Sequence, residues 1–466
     1  MTQIATLLVV FGIAGLFILD YDRRDRTSPA LWLPFLWLAI AGSRPVSSWF
    51  DVRLGVEQLT EGSPFDRNIF MTLLAIGICV LATRAGAVLK ILRANGPILI
   101  FLLYCVISIG WSDYPDVAVK RWIKSLGDFV MILIILTDRD QVLALKKVLS
   151  RLAYILIPVS VLFIKYYPAL GRSYSYFEGT ASYVGVSMDK NMLGKICLVL
   201  GLGLLWRLFE EWHGSRRRRI LLAVGATFGM TLWLFGMANS MTSLSCFVFG
   251  ICLLLGSGML KAARKRSFIH LMAGGVIAIS FAVLFLNVGD FLLQALGRNP
   301  TLTGRTELWG ELVRIPINPI LGTGFESFWL GKRLDYIWSL HWWHPNEAHD
   351  GYLELYLNLG WMGIALFALV VVSGYRNILK LMATVPAAGR IRLAYFVVGL
   401  AYNYTESSIR TLDPVWIIFL FSVFAVPRAI PAQYTAEDEG WADEPVAQKT
   451  YEWNWDTEPA HQFKNT

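Results

Sequence analysis

Apolar runs of roughly bilayer length recur along almost the whole chain, and they leave few folds open. A hydrocarbon core about 30 Å thick requires a spanning segment to satisfy its own backbone hydrogen bonds, which points to helices. The runs lie near 3–19, 29–42, 68–83, 96–110, 125–137, 147–164, 191–208, 219–237, 241–258, 269–289, 351–375, 392–404 and 414–427. They predict an all-α, polytopic membrane helical bundle of about 12–14 spans. Composition agrees. With 55% hydrophobic and 16% charged residues and a mean hydropathy of +0.51, the chain is unlike a soluble protein, which averages about 25% charged. The first run has no basic leader and no A-x-A cleavage site, so it reads as a retained helix.

Basic clusters in short loops orient such a bundle. They occur at Arg23, Arg24 and Arg26, at Lys146, Lys147 and Arg151, at 216–219, at 261–266, and at Arg376, Lys380, Arg390 and Arg392. In the order of the runs they share one face, expected to be cytoplasmic. The loops near 43–67, 111–124, 165–190 and 290–350 then lie outside.

The net charge of +8 belongs mostly to the cytoplasmic loops. Anionic lipid headgroups are its ordinary partner, and no nucleic-acid-binding module is recognisable. Cys79, Cys105, Cys197, Cys246 and Cys252 all fall within apolar runs and form no disulfide framework. Residues 1–428 read as the membrane domain, and 429–466 as an acidic, disordered cytoplasmic tail. There is no Walker-type phosphate loop, so ATP-driven transport by this chain is not expected.

Chemistry is expected in the large extracytoplasmic loop 290–350. His341, His344 and His349 lie within nine residues there, interleaved with Glu347 and Asp350. Three readings stand side by side: a metal site, aromatic decoration of a membrane surface, and a general base. The spacing is not H-E-x-x-H, and Pro345 opposes a helical presentation of His344. His349, just before an apolar helix, is best placed as a base.

Arginines from several outside loops suit a phosphate or pyrophosphate, which guanidinium groups bind through paired hydrogen bonds. The candidates are Arg305, Arg172 and Arg121, with Lys190 beside them. Each would otherwise pair with a nearby acid such as Glu307. Trp309 and its neighbouring tryptophans offer faces for sugar rings or form an interfacial belt. Gly360 and Gly363 read as helix-packing positions.

One combination of residues resembles a known family. His349-Asp350, nine residues, then Gly360-Trp361-Met362-Gly363 is similar to the histidine motif of bacterial O-antigen ligases and related polysaccharide polymerases. Asp350 stands where that motif has Asn, Ser or Gln. Gly304-Arg305 through Trp309, followed by 319–325, also resembles that family. The segments 42–45, 111–115 and Lys190-Asn191 resemble its exopolysaccharide-polymerase branch.

The resemblance implies a GT-C-like bundle performing inverting, metal-independent glycosyl transfer without a cofactor. The donor would be a glycan on undecaprenyl pyrophosphate at the periplasmic face of the bacterial inner membrane. His349 would deprotonate the acceptor hydroxyl, and Arg305, then Arg172 and Arg121, would stabilise the departing pyrophosphate. Lys190, Trp309, Glu307 and Asp350 complete the expected substrate-binding set. Other polysaccharide-assembly proteins are expected partners. Polymerisation of lipid-linked repeats is the leading expectation, with ligation to lipid A-core or another acceptor as the alternative. A flippase would carry ionisable residues inside its helices, where the expected spans have few.

Overall fold

A computed structural model describes residues 1–22, 25, 27–50, 63–174, 181–214, 217–259, 266–285 and 303–427. The acidic tail and the first part of the expected loop, 286–302, lie outside the described residues. The helices are α1 Thr2–Asp20, α2 Trp32–Ala41, α3 Pro64–Ala82, α4 Ala85–Ala94, α5 Gly96–Ile107, α6 Pro115–Leu136, α7 Gln141–Tyr166 and α8 Lys190–His213. They continue as α9 Arg218–Ala238, α10 Met241–Met259, α11 Arg266–Phe285, α12 Thr303–Leu312, α13 Gly331–Leu340, α14 Gly351–Thr384, α15 Pro386–Tyr402 and α16 Pro414–Val423. A two-stranded antiparallel hairpin, β1 Arg172–Tyr174 with β2 Ala181–Tyr183, interrupts them.

Local chemistry sets the helix starts. Pro64, Pro115, Pro386 and Pro414 occupy first-turn positions, where the missing N–H has no intrahelical partner to lose. Asp140, Asp189, Asp350 and Asp413 cap α7, α8, α14 and α16 through their carboxylates. Among the described residues, seven helices are long and apolar enough to cross a membrane, or eight if the bent pair α4–α5 is one span. The expectation of about 12–14 spans counts shorter and more polar helices as well. Each predicted run does meet a helix, but Pro29–Ala41 and Pro414–Val423 are short apolar helices of 10–17 residues. At 1.5 Å per residue they fall short of a hydrocarbon core of about 30 Å.

Helices α7 and α8 form the centre, with 72% and 78% of their apolar windows buried. Helix α1, at 11%, is peripheral and turns Leu7, Leu8, Phe11 and Ile18 outward. Between α4 and α5 the chain bends by 90° at Asn95. There Nδ2 of Asn95 donates to the Ala425 carbonyl at 2.9 Å, and its Oδ1 accepts from Ala425 N–H at 2.7 Å.

The second break lies inside α14. Gly360 has φ +62, and Gly322, in the loop preceding α13, has φ +70. A Cβ on Gly360 would lie 2.3 Å from the Ile320 carbonyl, and one on Gly322 would lie 2.4 Å from that of Asn358. The loop and the broken helix exchange backbone bonds: Thr323 N–H to Leu357 O, Gly324 to Asn358 O, Trp361 to Pro319 O and Met362 to Ile320 O, at 2.8–3.1 Å. Gly360 is therefore a chain-crossing point rather than the helix-packing position read from the sequence. The spacing from His349 follows. Nine residues of helix, roughly 13 Å of rise, separate the histidine from the anchored break.

Three ion pairs join the segments of two expected cytoplasmic clusters, those of Lys147 and Arg217, while Arg23, Arg24, Arg26 and 261–265 lie outside the described residues. Arg207 binds Asp20, Lys147 binds Asp25 at 2.7 Å, and Arg217 binds Asp22 at 2.6 Å. Helix α14 begins beside His349 and ends at Leu381 and Val385, which line a cavity with Gln141 and Leu145 of α7. The histidine and the Asp20 cluster thus occupy opposite ends of the bundle.

Candidate functional site

Residue 348 is clamped by its neighbours. Trp309 Nε1 donates to the Ala348 carbonyl at 2.7 Å, and Ala348 N–H donates to Glu354 Oε2 at 3.1 Å. The same carboxylate receives Trp329 Nε1 at 2.7 Å. Asp350 Oδ1 then accepts the N–H groups of Tyr352 and Leu353 at 2.8 and 2.9 Å, fixing the first turn of α14. Between clamp and cap, His349 is held at φ +52. His344, Glu326 and Leu412 also have positive φ. Such backbone persists only when its surroundings over-determine it, and it concentrates at functional sites.

The His349 ring stacks on Trp343, with centroids 6.1 Å apart and planes 29° from parallel. Its buried Nδ1 faces Glu347 Oε1 at 3.1 Å and Glu406 Oε2 at 3.5 Å, as ion-pair contacts rather than well-aligned hydrogen bonds. Each carboxylate also binds an arginine through its other oxygen. Arg305 Nη2 reaches Glu406 Oε1 at 3.1 Å, and Arg410 Nη1 reaches Glu347 Oε2 at 2.5 Å. Arg305 donates as well to the Thr405 carbonyl. Below them Lys195 of α8 forms a buried pair with Asp413 at 2.5 Å, and Arg410 Nε lies 4.0 Å from that carboxylate.

These contacts set the protonation states. Burial, the largest influence, opposes charge on His349, but the facing carboxylates of Glu347 and then Glu406 outweigh it and raise its pKa to about 9. Burial likewise opposes the charge on Glu347, yet Arg410 and His349 hold it down to about 2. Glu406 is lowered against its own burial by His349 and Arg305. Three cations, His349, Arg305 and Arg410, therefore face two carboxylates, and the cluster carries one net positive charge.

Glu347, His349 and Glu406 present ligand atoms within 4.8 Å of one another, as a metal site would. All four of their carboxylate oxygens already face a cation. A divalent ion bound there would have to displace these partners. Nor do the three loop histidines converge. His341 Nε2 contacts Glu311 Oε2 at 2.6 Å, and His344 lies against Trp338, with ring centroids 5.0 Å apart.

The other expected site residues separate. Arg305 and His349 meet through Glu406, while Trp309 braces the residue before His349. Arg121 of α6 donates to the Glu326 carbonyl, and Glu326 Oε1 accepts from Thr411 N–H and Oγ1 at 2.9 Å. Arg121 thus touches the periphery of the same loop cluster. Asp350, expected to bind substrate, caps α14 through Oδ1. Arg172 donates to the Ile164 carbonyl at 3.0–3.1 Å and lies 5.5 Å over Tyr183, so its bonds hold the hairpin. Lys190 is exposed at the start of α8, and Glu307 is exposed on α12.

Glu406 and Arg410 escaped the sequence reading. Both lie on the polar segment 403–413 between α15 and α16, where Asn403-Tyr404-Thr405-Glu406-Ser407-Ser408 interrupts two apolar runs. Alternating faces put this break on the same side as 290–350, and that was the available signal. The expectation of few mid-helix charges is corrected too. Buried Asp128 of α6 accepts Trp37 Nε1 at 2.7 Å and Leu412 N–H at 3.1 Å, and buried Lys195 binds Asp413. These two buried groups anchor the 403–413 segment.

Comparison with known proteins is consistent with this geometry. The family profile described as O-antigen ligase matches residues 226–368, which include Arg305 and His349 but stop short of Glu406 and Arg410. The exopolysaccharide production protein ExoQ of Rhizobium meliloti is 27% identical over 356 residues, covering 73% of this chain and 78% of its own length. Two proteins that carry the name polysaccharide ligase are also similar. That of Rickettsia typhi is 26% identical over 43% of this chain and 52% of its own length. That of Rickettsia prowazekii is 24% identical over 71% and 81%. With its apolar helices the chain is a polytopic helical membrane protein, and over residues 226–368 it is similar to the O-antigen ligase family.

Proposed function

We propose that this protein polymerises glycan repeats carried on undecaprenyl pyrophosphate, at the extracytoplasmic face of the bacterial inner membrane, by metal-independent inverting glycosyl transfer. The observation that carries this reading is the sharing of Glu406 by His349 and Arg305. A proton acceptor and cationic groups are what transfer from a pyrophosphate donor requires in one place.

The acceptor hydroxyl oxygen attacks the anomeric carbon from the face opposite the pyrophosphate. The bond from that carbon to the phosphate oxygen breaks, and its electron pair leaves with the lipid pyrophosphate. The hydroxyl proton passes to Nε2 of His349, the ring nitrogen turned away from the carboxylate contacts. Arg305 and Arg410 stabilise the departing charge, and Arg121 adds to the local positive field. With a pKa near 9, about 1% of His349 is the free base at pH 7. The carboxylates therefore make a strong base that is scarce in neutral solution.

Exopolysaccharide production by the relative that covers 73% of this chain favours a polymerase. Ligation to lipid A-core or another terminal acceptor is the second reading, favoured by the family description and the Rickettsia relatives. Against a flippase, the buried Asp128 and Lys195 near the site are committed to holding its 403–413 segment.

Purified wild type and His349→Ala, incubated with lipid-linked oligosaccharide, decide the matter. Polymerisation predicts a size ladder that is absent in the variant. A single transfer to added lipid A-core instead identifies a ligase. Translocation of the lipid with no new glycosidic bond overturns the enzyme reading.

A further inference from the structure

Buried cations in this bundle come with counter-ions, apart from one. Among the described residues Lys147, Lys195 and Arg207 each bind a carboxylate. Arg392 of α15 is 5% exposed and has no carboxylate within ion-pair distance among those residues. Its Nη1 donates to the Phe424 carbonyl at 2.7 Å, and its guanidinium carbon lies 4.6 Å from the Phe421 ring centre. A carbonyl and a ring face leave most of a desolvated guanidinium charge uncompensated.

Arg392 also lines a cavity of ≈ 80 Å³ at the end of the bundle opposite His349. The walls are otherwise mainly apolar, including Val142, Leu145, Trp206, Leu381 and Ile391. Lys146 Nζ sits 5.1 Å over the ring of Trp206, adding a second cation at the rim. The pocket combines an unneutralised fork of N–H donors with greasy walls in a chain that lives in lipid. A phosphate joined to acyl chains satisfies both, whereas a free phosphate satisfies only the first.

We propose that this cavity is a binding site for an anionic phospholipid, with the headgroup phosphate on Arg392 and the glycerol and upper acyl segment along the apolar wall. The site is separate from glycosyl transfer and serves to lock α7, α14, α15 and α16 together at this end.

Delipidated full-length protein in detergent tests it, with thermal melting and native mass spectrometry as readouts. The probes are phosphatidylglycerol, diacylglycerol with the same chains, and inorganic phosphate. Phosphatidylglycerol is expected to raise the wild-type Tm by several degrees and remain bound, while the other two do neither. Arg392→Met is expected to weaken retention by about tenfold or more. Without lipid, its Tm should equal or exceed that of wild type, because the substitution removes an unpaired buried charge. Ala388→Leu, which narrows the cavity and keeps the arginine, should weaken retention too. The proposal is overturned if Arg392→Met binds phosphatidylglycerol like wild type, or if inorganic phosphate reproduces the lipid's effect. It also fails if the lipid does not stabilise wild type, which would leave Arg392 only its bond to Phe424. Should Arg392→Met not fold, Ala388→Leu retaining the lipid as wild type does would be equally decisive.

Discussion

Two ionic clusters mark the two ends of the bundle, and they are built differently. At one end Asp20, at the last turn of α1, meets Arg207 of α8, Asp25 meets Lys147 of α7 and Asp22 meets the more exposed Arg217, three acids against three bases. At the other, His349, Arg305 and Arg410 outnumber Glu347 and Glu406, the backbone at His349 is forced to positive φ, and Arg410 keeps 41% of its side chain in the open. A balanced network fixes helices. An unbalanced, strained and half-open one is prepared for a charged visitor. The difference teaches that buried charge alone does not identify a site; the missing counter-charge does.

Substitutions at the two ends should therefore separate chemistry from stability. The largest effect is expected from His349→Ala, with transfer falling by about 10²–10⁴-fold while the thermal melt stays cooperative and close to wild type. Undiminished turnover would remove His349 from the reaction. Next comes Arg207→Met at the balanced end, which strands Asp20 and should cost about 3–5 kcal/mol. The protein that remains folded should still transfer at the wild-type rate. A chemical-denaturation midpoint equal to wild type would show that this pair does not hold the helices.

Glu406→Gln sharpens the comparison through pH. In the wild type the free-base form of His349 grows as pH rises towards about 9, so kcat/KM should climb through that range. Removing one carboxylate lowers the histidine pKa and shifts the acid limb to lower pH. The stability linkage has the opposite sign. A raised folded-state pKa stabilises fully below the ordinary histidine value of 6.5, and that contribution fades as pH approaches about 9. An acid limb unmoved in Glu406→Gln would mean that His349 does not set it. The smallest effect belongs to Asp350→Ala, a lost cap worth about 1 kcal/mol, which Asp350→Asn should largely restore. If Asp350→Asn folds normally but loses transfer, the aspartate touches substrate after all.

How much of this was readable in advance follows physical lines. Apolar runs report burial in lipid directly, so each predicted span met a helix. Their lengths depend on breaks such as Asn95 and Gly360, which periodicity does not show. His349 and Arg305 stood out because both lie in one polar loop with a recognisable spacing. Glu406 and Arg410 lie nearly sixty residues or more beyond His349, in a short segment that looks like an ordinary connection. Only the pairing of α14 with α15 and α16 carries them to the histidine. The capping contacts of Asp350 were hidden for a related reason. A carboxylate beside a catalytic histidine and one capping the next helix look the same in sequence, and two backbone N–H contacts distinguish them.

The exchange of backbone bonds at Gly360 also bears on how the protein is made. A helix broken at membrane depth releases N–H and carbonyl groups that lipid cannot satisfy, at several kcal/mol for each one left bare. Here their partners belong to residues 319–324, which leave the ribosome before α14 does. The chain supplies the patch before the gap. Insertion of α14 and docking of that loop must therefore be nearly simultaneous, and a change that weakens the loop should appear first as poor membrane integration, before any defect in the finished protein.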